Sequence, residues 1–226
     1  SFNLETEKEE RLTFDSRGYS PVFISKDSSI AFISTFDGGQ NLNLFNLKTK
    51  KSKQITKFDE RPMISHLNYD ELSHSLYFDI TFHHFREIYN YNFKDSSITT
   101  FKNDSLYDER NMALDSFSGV KIYSRDKSGI FNLYMIDEKN ESEGYISNVT
   151  GGAFMPDISR DGKVIFSLFQ NGSYKISILD KSVFINDNFI GYDKNYFLNN
   201  RGLAPPITNI NNTLAKKYED QFPNMF

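Results

Sequence analysis

Residues 123–137 read YSRDKSGIFNLYMID. An apolar run gives way to the charged, glycine-containing segment 125–129, and a second run then stops at Asp137. That is the pattern of a β-hairpin. Whether the hairpin stands alone or is one copy of a repeated unit decides the fold.

It is repeated. FIS at 32–34, YFD at 77–79, IYS at 122–124 and IFS at 165–167 follow one another at spacings of 45, 45 and 43 residues. Their partner runs NLFNLK, EIYNYN, NLYMID and KISILD begin at 43, 87, 132 and 175. Pro21, Pro62, Met112 and Pro156 precede each pair at looser spacings of 41, 50 and 44, as loop insertions would produce. RLT from 11, QIT from 54, ITT from 98 and YIS from 145 close the units. Four short strands in each unit of this length is the signature of propeller blades.

Polarity agrees. IAFIS, VIFSLF and NLYMI are nearly continuous apolar runs, as expected of strands covered on both faces. The 22 Phe and 13 Tyr, with no Trp, suit the filler between stacked sheets. SRDGK at 159–163 and SKDSS at 25–29 read as turns, so Asp161 and Asp27 are turn formers, without the alternating oxygen ligands of a calcium loop.

MPDISRDGKVIFS (155–167), YSRDKSGIFNLYMID and the Thr-rich closing strands resemble the blade repeat of the TolB-like β-propellers, over about residues 11 to 180. The resemblance implies a bacterial envelope setting, periplasmic, and a part in a multiprotein assembly through a protein or peptide partner. Four full blades are visible where such propellers usually have six, the second and third copies lack the Asp-Gly turn, and no separate α/β domain precedes them. The expected fold is all-β: a β-propeller of four-stranded antiparallel blades, complete or a piece of a six-bladed ring. Residues 1–15 hold the last strand of a preceding blade or a strand that closes the ring. Blades follow at 16–57, 58–101, 102–150 and 151–188, with SVFIND (182–187) as the fourth strand of the last. Residues 189–226 are an irregular tail or linker, with a short helix in TLAKKYEDQF that Thr213 would cap. A downstream domain can follow, since TolB-like blades also occur ahead of outer-membrane barrels.

The bulk numbers exclude several classes. A net charge of -4 over 226 residues gives no basic field for nucleic acid, and KTKKSK (48–53) reads as a solvated turn. With no cysteine there is no disulfide, thiolate metal site or Cys nucleophile. No run approaches the length of a membrane-spanning helix and no signal-peptide pattern opens the chain. It begins at Ser1, so upstream sequence is allowed for.

Catalytic motifs are sparse. GYSPV (18–22) is the nearest approach to a Gly-x-Ser-x-Gly elbow and ends in Val, so Ser20 is read as structural. His83 and His84 are adjacent and would point to opposite faces of a strand, which suits a hairpin tip better than a metal site with Asp79 or Glu87. No metal or cofactor is expected.

FDER (58–61) and YDER (107–110) recur 49 apart, while SRGYSP and GGAFMP hold the same place in the other copies. These segments would converge on one mouth of the central channel. The candidate binding set is Arg17, Tyr19, Asp59, Glu60, Arg61, Asp108, Glu109, Arg110 and Phe154. The same charges could instead pair with neighbouring blades and hold the ring together. Asp59 and Asp108 facing each other could also act as a glycosidase pair, at a separation of about 5–9.5 Å. The expected function is a non-catalytic scaffold. The alternative is a regulatory or gating propeller of a prolyl oligopeptidase-like hydrolase whose catalytic domain lies outside this chain.

Overall fold

The hairpin at 123–137 forms as read, between β12 (Val120–Arg125) and β13 (Asn132–Asp137), with Tyr123 opposite Tyr134 and Arg125 opposite Asn132. The computed structural model describes residues 1–14, 17–36, 38–82, 85–102, 107–187 and 190. Ser1–Gly191 form one unit and Tyr192–Phe226 a second, and all described residues belong to the first. The tail helix expected at 213–222 lies outside them, as do His83 and His84.

After a small hairpin of β1 (Phe2–Asn3) and β2 (Lys8–Glu9), the chain lays down sheets in strict order, every neighbour antiparallel. The first holds β3 (Arg17–Ile24), β4 (Ser29–Phe36), β5 (Gly39–Asn46) and β6 (Lys51–Gln54). The second holds β7 (Met63–Asp70), β8 (Ser75–Phe82), β9 (Phe85–Asn92) and β10 (Ile98–Thr100). The third adds β11 (Glu109–Asp115) before β12 and β13, and β14 (Ser142–Tyr145) after them. The fourth has three strands, β15 (Ala153–Ile158), β16 (Val164–Gln170) and β17 (Ser173–Leu179).

The sheets stack as propeller blades do. β7 lies against β3, β4 and β5, β11 against β7, β8 and β9, and β15 against β11, β12 and β13. The first strands of the second, third and fourth blades thus each cross three strands of the blade before. Among the described residues the fourth sheet makes no comparable contact with the first, so the blades form an open arc.

Three apolar clusters fill the three junctions. Ala31, Ile33 and Leu42 of the first blade meet Ile64, Leu67, Leu76 and Phe78 of the second. Tyr77 and Ile88 meet Met112 and Tyr123 of the third. Ile122, Leu133 and Met135 meet Ala153, Val164 and Phe166 of the fourth. The middle junction is the polar one: buried Lys121 reaches Asp70 of the second blade at 3.6 Å and also pairs with Glu138.

A bulge interrupts the first strand of every blade. Register shifts fall after Tyr19, Ser65, Arg110 and Phe154, and the next residue in each case, Ser20, His66, Asn111 or Met155, is left-handed, with φ of 51, 53, 58 and 50°. Their spacings of 46, 45 and 44 residues are tighter than those of the proline series. The equivalent residues are therefore Pro21, Leu67, Met112 and Pro156, and Pro62 lies outside the series. No loop insertion is needed there.

The same pairing corrects the first copy. Ile33, Asp79, Ser124 and Ser167 hold one position, opposite Leu42, Ile88, Leu133 and Ile176. FIS and NLFNLK are thus one and two residues out of frame with the later copies.

Hydroxyls at the ends of the closing segments explain why Thr or Ser recurs there. Thr56 Oγ1 accepts the Leu42 N–H at 2.9 Å and donates to Asn41 Oδ1, which also accepts the Phe58 N–H. Two blades on, Ser147 Oγ accepts the N–H of Leu133, the counterpart of Leu42, at 2.8 Å and donates to Asn132 Oδ1, which accepts the Val149 N–H.

Three expectations change in detail. Lys51, Ser52 and Lys53 of the cationic run belong to exposed β6, with only the preceding residues in the turn. SVFIND does not complete the fourth blade: the Ile185 N–H donates to Tyr145 O at 2.8 Å, joining the outer edge of the third sheet, and Phe184 packs on Gly144. Residues 11–13 pair within no sheet of the described residues.

Replacing Ser147 with Ala strips a buried amide of its acceptor and should cost about 1–3 kcal/mol in urea denaturation, whereas Ser147→Thr keeps the hydroxyl and should stay near wild type.

Candidate functional site

Arg110, one residue before its bulge, is the centre of the cluster at the start of the innermost strands. Its guanidinium lies 3.9 Å from the Phe131 ring centroid and 5.8 Å from that of Phe154, and Nη2 donates to Asp108 Oδ2 at 3.1 Å. Asp108 Oδ1 accepts the Arg86 N–H at 3.0 Å, and the Asp108 N–H donates to Asp126 Oδ1 at 2.9 Å. Phe131, Phe154, Tyr174 and Phe169 then continue as a wall of rings with centroids 5.0–6.2 Å apart. A cation on ring faces beside a carboxylate is held by both.

Asp79 stands beneath this group, 1 % exposed, where the first blade has Ile33. Its two oxygens share the N–H of left-handed Asn111 at 3.1 and 3.0 Å. Burial raises its pKa to about 7, against the pull of that N–H and of Arg86 and Arg110. Burial, then Arg86, lowers that of Arg110, and burial raises that of Asp126. Burial likewise lowers that of His66.

Of the nine residues proposed from sequence, Asp108, Arg110 and Phe154 come together. Glu109 is buried and pairs with Arg125 at 3.0 Å. Tyr19 donates its hydroxyl to Ile64 O at 2.9 Å, tying the first blade to the second. Arg17 opens β3, exposed. Asp59, Glu60 and Arg61 are exposed in the loop before β7, where Arg61 lies against Gly38 and Gly39 of the preceding blade. FDER and YDER are thus not equivalent: Arg61 lies five residues before the bulge at His66, Arg110 one before Asn111. Ser20 is structural as expected, its Oγ accepting the Leu67 N–H at 3.3 Å. Among the described residues no three His, Asp or Glu side chains gather as metal ligands would.

A concavity lies at the opposite end of the strands. Glu71 and Leu72, Asp115, Ser116 and Phe117, and Arg160, from the first turns of three consecutive blades, line a depression of about 690 Å³. The turns are chained: Ser25 Oγ donates to Glu71 Oε1 at 2.8 Å, Lys26 Nζ to Glu71 O at 2.6 Å, and the Glu71 N–H to Ser116 Oγ at 3.0 Å. Leu72 and Phe117 are both exposed. Each follows an aspartate that caps its turn, with Leu72 N–H donating to Asp70 Oδ1 and Phe117 N–H to Asp115 Oδ1. A large apolar residue at the same place in DELS (70–73) and DSFS (115–118), 45 apart, was the available sequence signal.

No protein-family model matches the chain, and no curated protein does. Solved structures do. TolB from Acinetobacter baumannii superposes with a TM-score of 0.60 at 22% identity, over 75% of this chain and 42% of that one. A putative TolB from Agrobacterium tumefaciens gives 0.57 at 11%, over 70% and 59%. A prolyl endopeptidase gives 0.60 at 9%, over 80% and 30%. The fold is that of the TolB-like propellers, and this chain spans less than two thirds of each of these structures.

Two outcomes follow from the cluster. Arg110→Ala removes the counter-charge and ring contact together and should lower stability by about 1–3 kcal/mol. For Asp79, the folded pKa near 7 lies above the unfolded 3.8, so between these values the folded chain holds a proton that the unfolded chain has lost. Its stabilising contribution is full below the unfolded value and is lost as pH rises through 7. Asp79→Asn keeps the acceptor and carries no charge. Urea denaturation from pH 5 to pH 8 should show wild type losing stability relative to Asp79→Asn by up to about 1.4 kcal/mol per pH unit below 7.

Proposed function

We propose that this arc of TolB-like blades is a non-catalytic scaffold of the bacterial envelope that takes a protein or peptide segment in the depression at the first-turn end. One observation carries the reading: three successive blades contribute the same turn to one concavity, with exposed Leu72 and Phe117 beside Arg160, Glu71 and Asp115. Apolar anchors within a charged rim are the composition of a recognition surface. Rigid scaffolds place such surfaces on loops from separate elements. The Arg110 cluster is less suited, because Arg110, Asp108 and Phe154 are already engaged with one another and with Phe131. The envelope setting rests on similarity to the two TolB structures.

The prolyl endopeptidase supports a second reading, a propeller that gates a hydrolase. A Gly-x-Ser-x-Gly segment in the same polypeptide would favour it over the scaffold.

Peptides selected by phage display on the immobilised chain provide the probe. Leu72→Asp combined with Phe117→Asp should weaken their binding at least about tenfold, by more than about 1.4 kcal/mol, with the melting temperature within a few degrees of wild type. Selected peptides that bind this double variant as tightly as wild type would overturn the site.

A further inference from the structure

We infer, on the premise that the depression at the first-turn end is the docking site, that its occupant is an acidic segment of another protein, with carboxylate side chains flanking a pair of large apolar ones.

Strand pairing puts one residue of each blade in register at this end. The first turns close on the pairs Ile24 with Ser29, Asp70 with Ser75, Asp115 with Val120 and Ile158 with Val164. Two residues past the opening partner of each pair stand Lys26, Leu72, Phe117 and Arg160, at spacings of 46, 45 and 43 residues. Along the arc the row reads cation, apolar, apolar, cation. Leu72 and Phe117 are 60 and 81 % exposed, and both cations are exposed as well. The apolar pair belongs to the second and third blades, each flanked on both sides by a described blade. Any further blade would therefore adjoin the ends of the row and not its middle.

The acidic groups at this end are turned inward. Asp70 uses both carboxylate oxygens on its own turn, on the Leu72 N–H and the Ser73 hydroxyl, and Asp115 uses both on the N–H groups of Phe117 and Ser118. Glu71 accepts the Ser25 hydroxyl, and Glu138 pairs with buried Lys121.

The cations are held differently. Lys26 Nζ donates to Glu71 O at 2.6 Å, and Lys139 Nζ donates to Phe117 O at 2.8 Å while lying 5.6 Å from the centroid of the Phe117 ring. A backbone carbonyl takes one of the three N–H donors of an ammonium and leaves its charge in place. Arg160 adds a guanidinium residue to the lining of the depression. A ligand thus meets open N–H donors beside two apolar side chains, while the carboxylate oxygens are occupied by the turns themselves. Carboxylates pair with such donors through charge-assisted hydrogen bonds, and the apolar side chains supply the anchors. A basic segment would meet like charge from Lys26, Lys139 and Arg160.

Three fluorescein-labelled synthetic peptide pools provide the probes, each with two apolar positions drawn from Leu, Ile, Phe and Val and differing only in whether Glu, Gln or Lys flanks them. In anisotropy titrations of the full chain at about 50 mM NaCl, wild type should bind the Glu pool at least about fivefold more tightly than the Gln pool, and the difference should fade at about 500 mM. Arg160→Glu should remove the preference for the Glu pool and raise the affinity for the Lys pool. Leu72→Ser combined with Phe117→Ser, which adds no charge, should weaken the Glu and Gln pools at least about fivefold. Both variants should melt within a few degrees of wild type, because the substituted side chains are exposed. Equal affinity of wild type for the Glu and Gln pools, or an unchanged preference in Arg160→Glu, overturns the acidic occupant. If both pools are nonetheless weakened by the double serine variant, the docking site itself stands. Pools that bind the double serine variant as tightly as wild type overturn site and occupant together, and a wild type that binds no pool overturns the occupant.

Discussion

The arc depends on one backbone constraint: the first strand of every blade must leave its pleat half-way along. A residue with positive φ sits there in all four blades, and none of the four is glycine. A left-handed conformation costs an L-residue about 1–2 kcal/mol, so it persists only where surrounding contacts demand it. Here the bulge lets one strand lie across three strands of the preceding blade while staying paired with its own neighbour. It also turns backbone groups toward the preceding blade, where Asp79 takes the Asn111 amide and Ser20 takes that of Leu67. Strain at the bulge and burial at the junction are two sides of one arrangement.

The junctions it creates are not chemically alike. The first and third are aliphatic and aromatic, worth about 25 cal/mol for each Å² removed from water. The middle one places Asp79 where the first blade has Ile33, and Lys121 where the others have Ile30, Leu76 and Val164. Buried charge is costly unless partnered, and Lys121 finds Asp70 and Glu138 while Asp79 holds an amide. Stability of the arc is therefore sensitive to pH at its middle junction and to apolar volume at the other two.

The two ends of the strands divide the labour. At their starts, Arg110, Asp108, Phe131 and Phe154 engage one another, and Tyr19 and Arg61 reach the neighbouring blade. At the other end, the turns are fixed by their own aspartate caps and by hydrogen bonds between turns, which leaves Leu72 and Phe117 free to face solvent. A surface that is rigid beneath and apolar on top suits recognition.

The sequence by itself determined the period, the strands and the stacking, because strands covered on both faces must read as repeated apolar runs whatever their partners. It also placed Thr56 and Ser147, whose hydroxyls close the first and third units. What it misjudged were alignments based on letters: Pro62 resembled the other prolines and FDER resembled YDER, yet pairing put Leu67 beside Pro21 and left Arg61 outside the strand that holds Arg110. Only the tertiary structure decided which face each residue takes, because a single bulge residue shifts the alternation and no composition rule marks where a left-handed Ser, His, Asn or Met will fall.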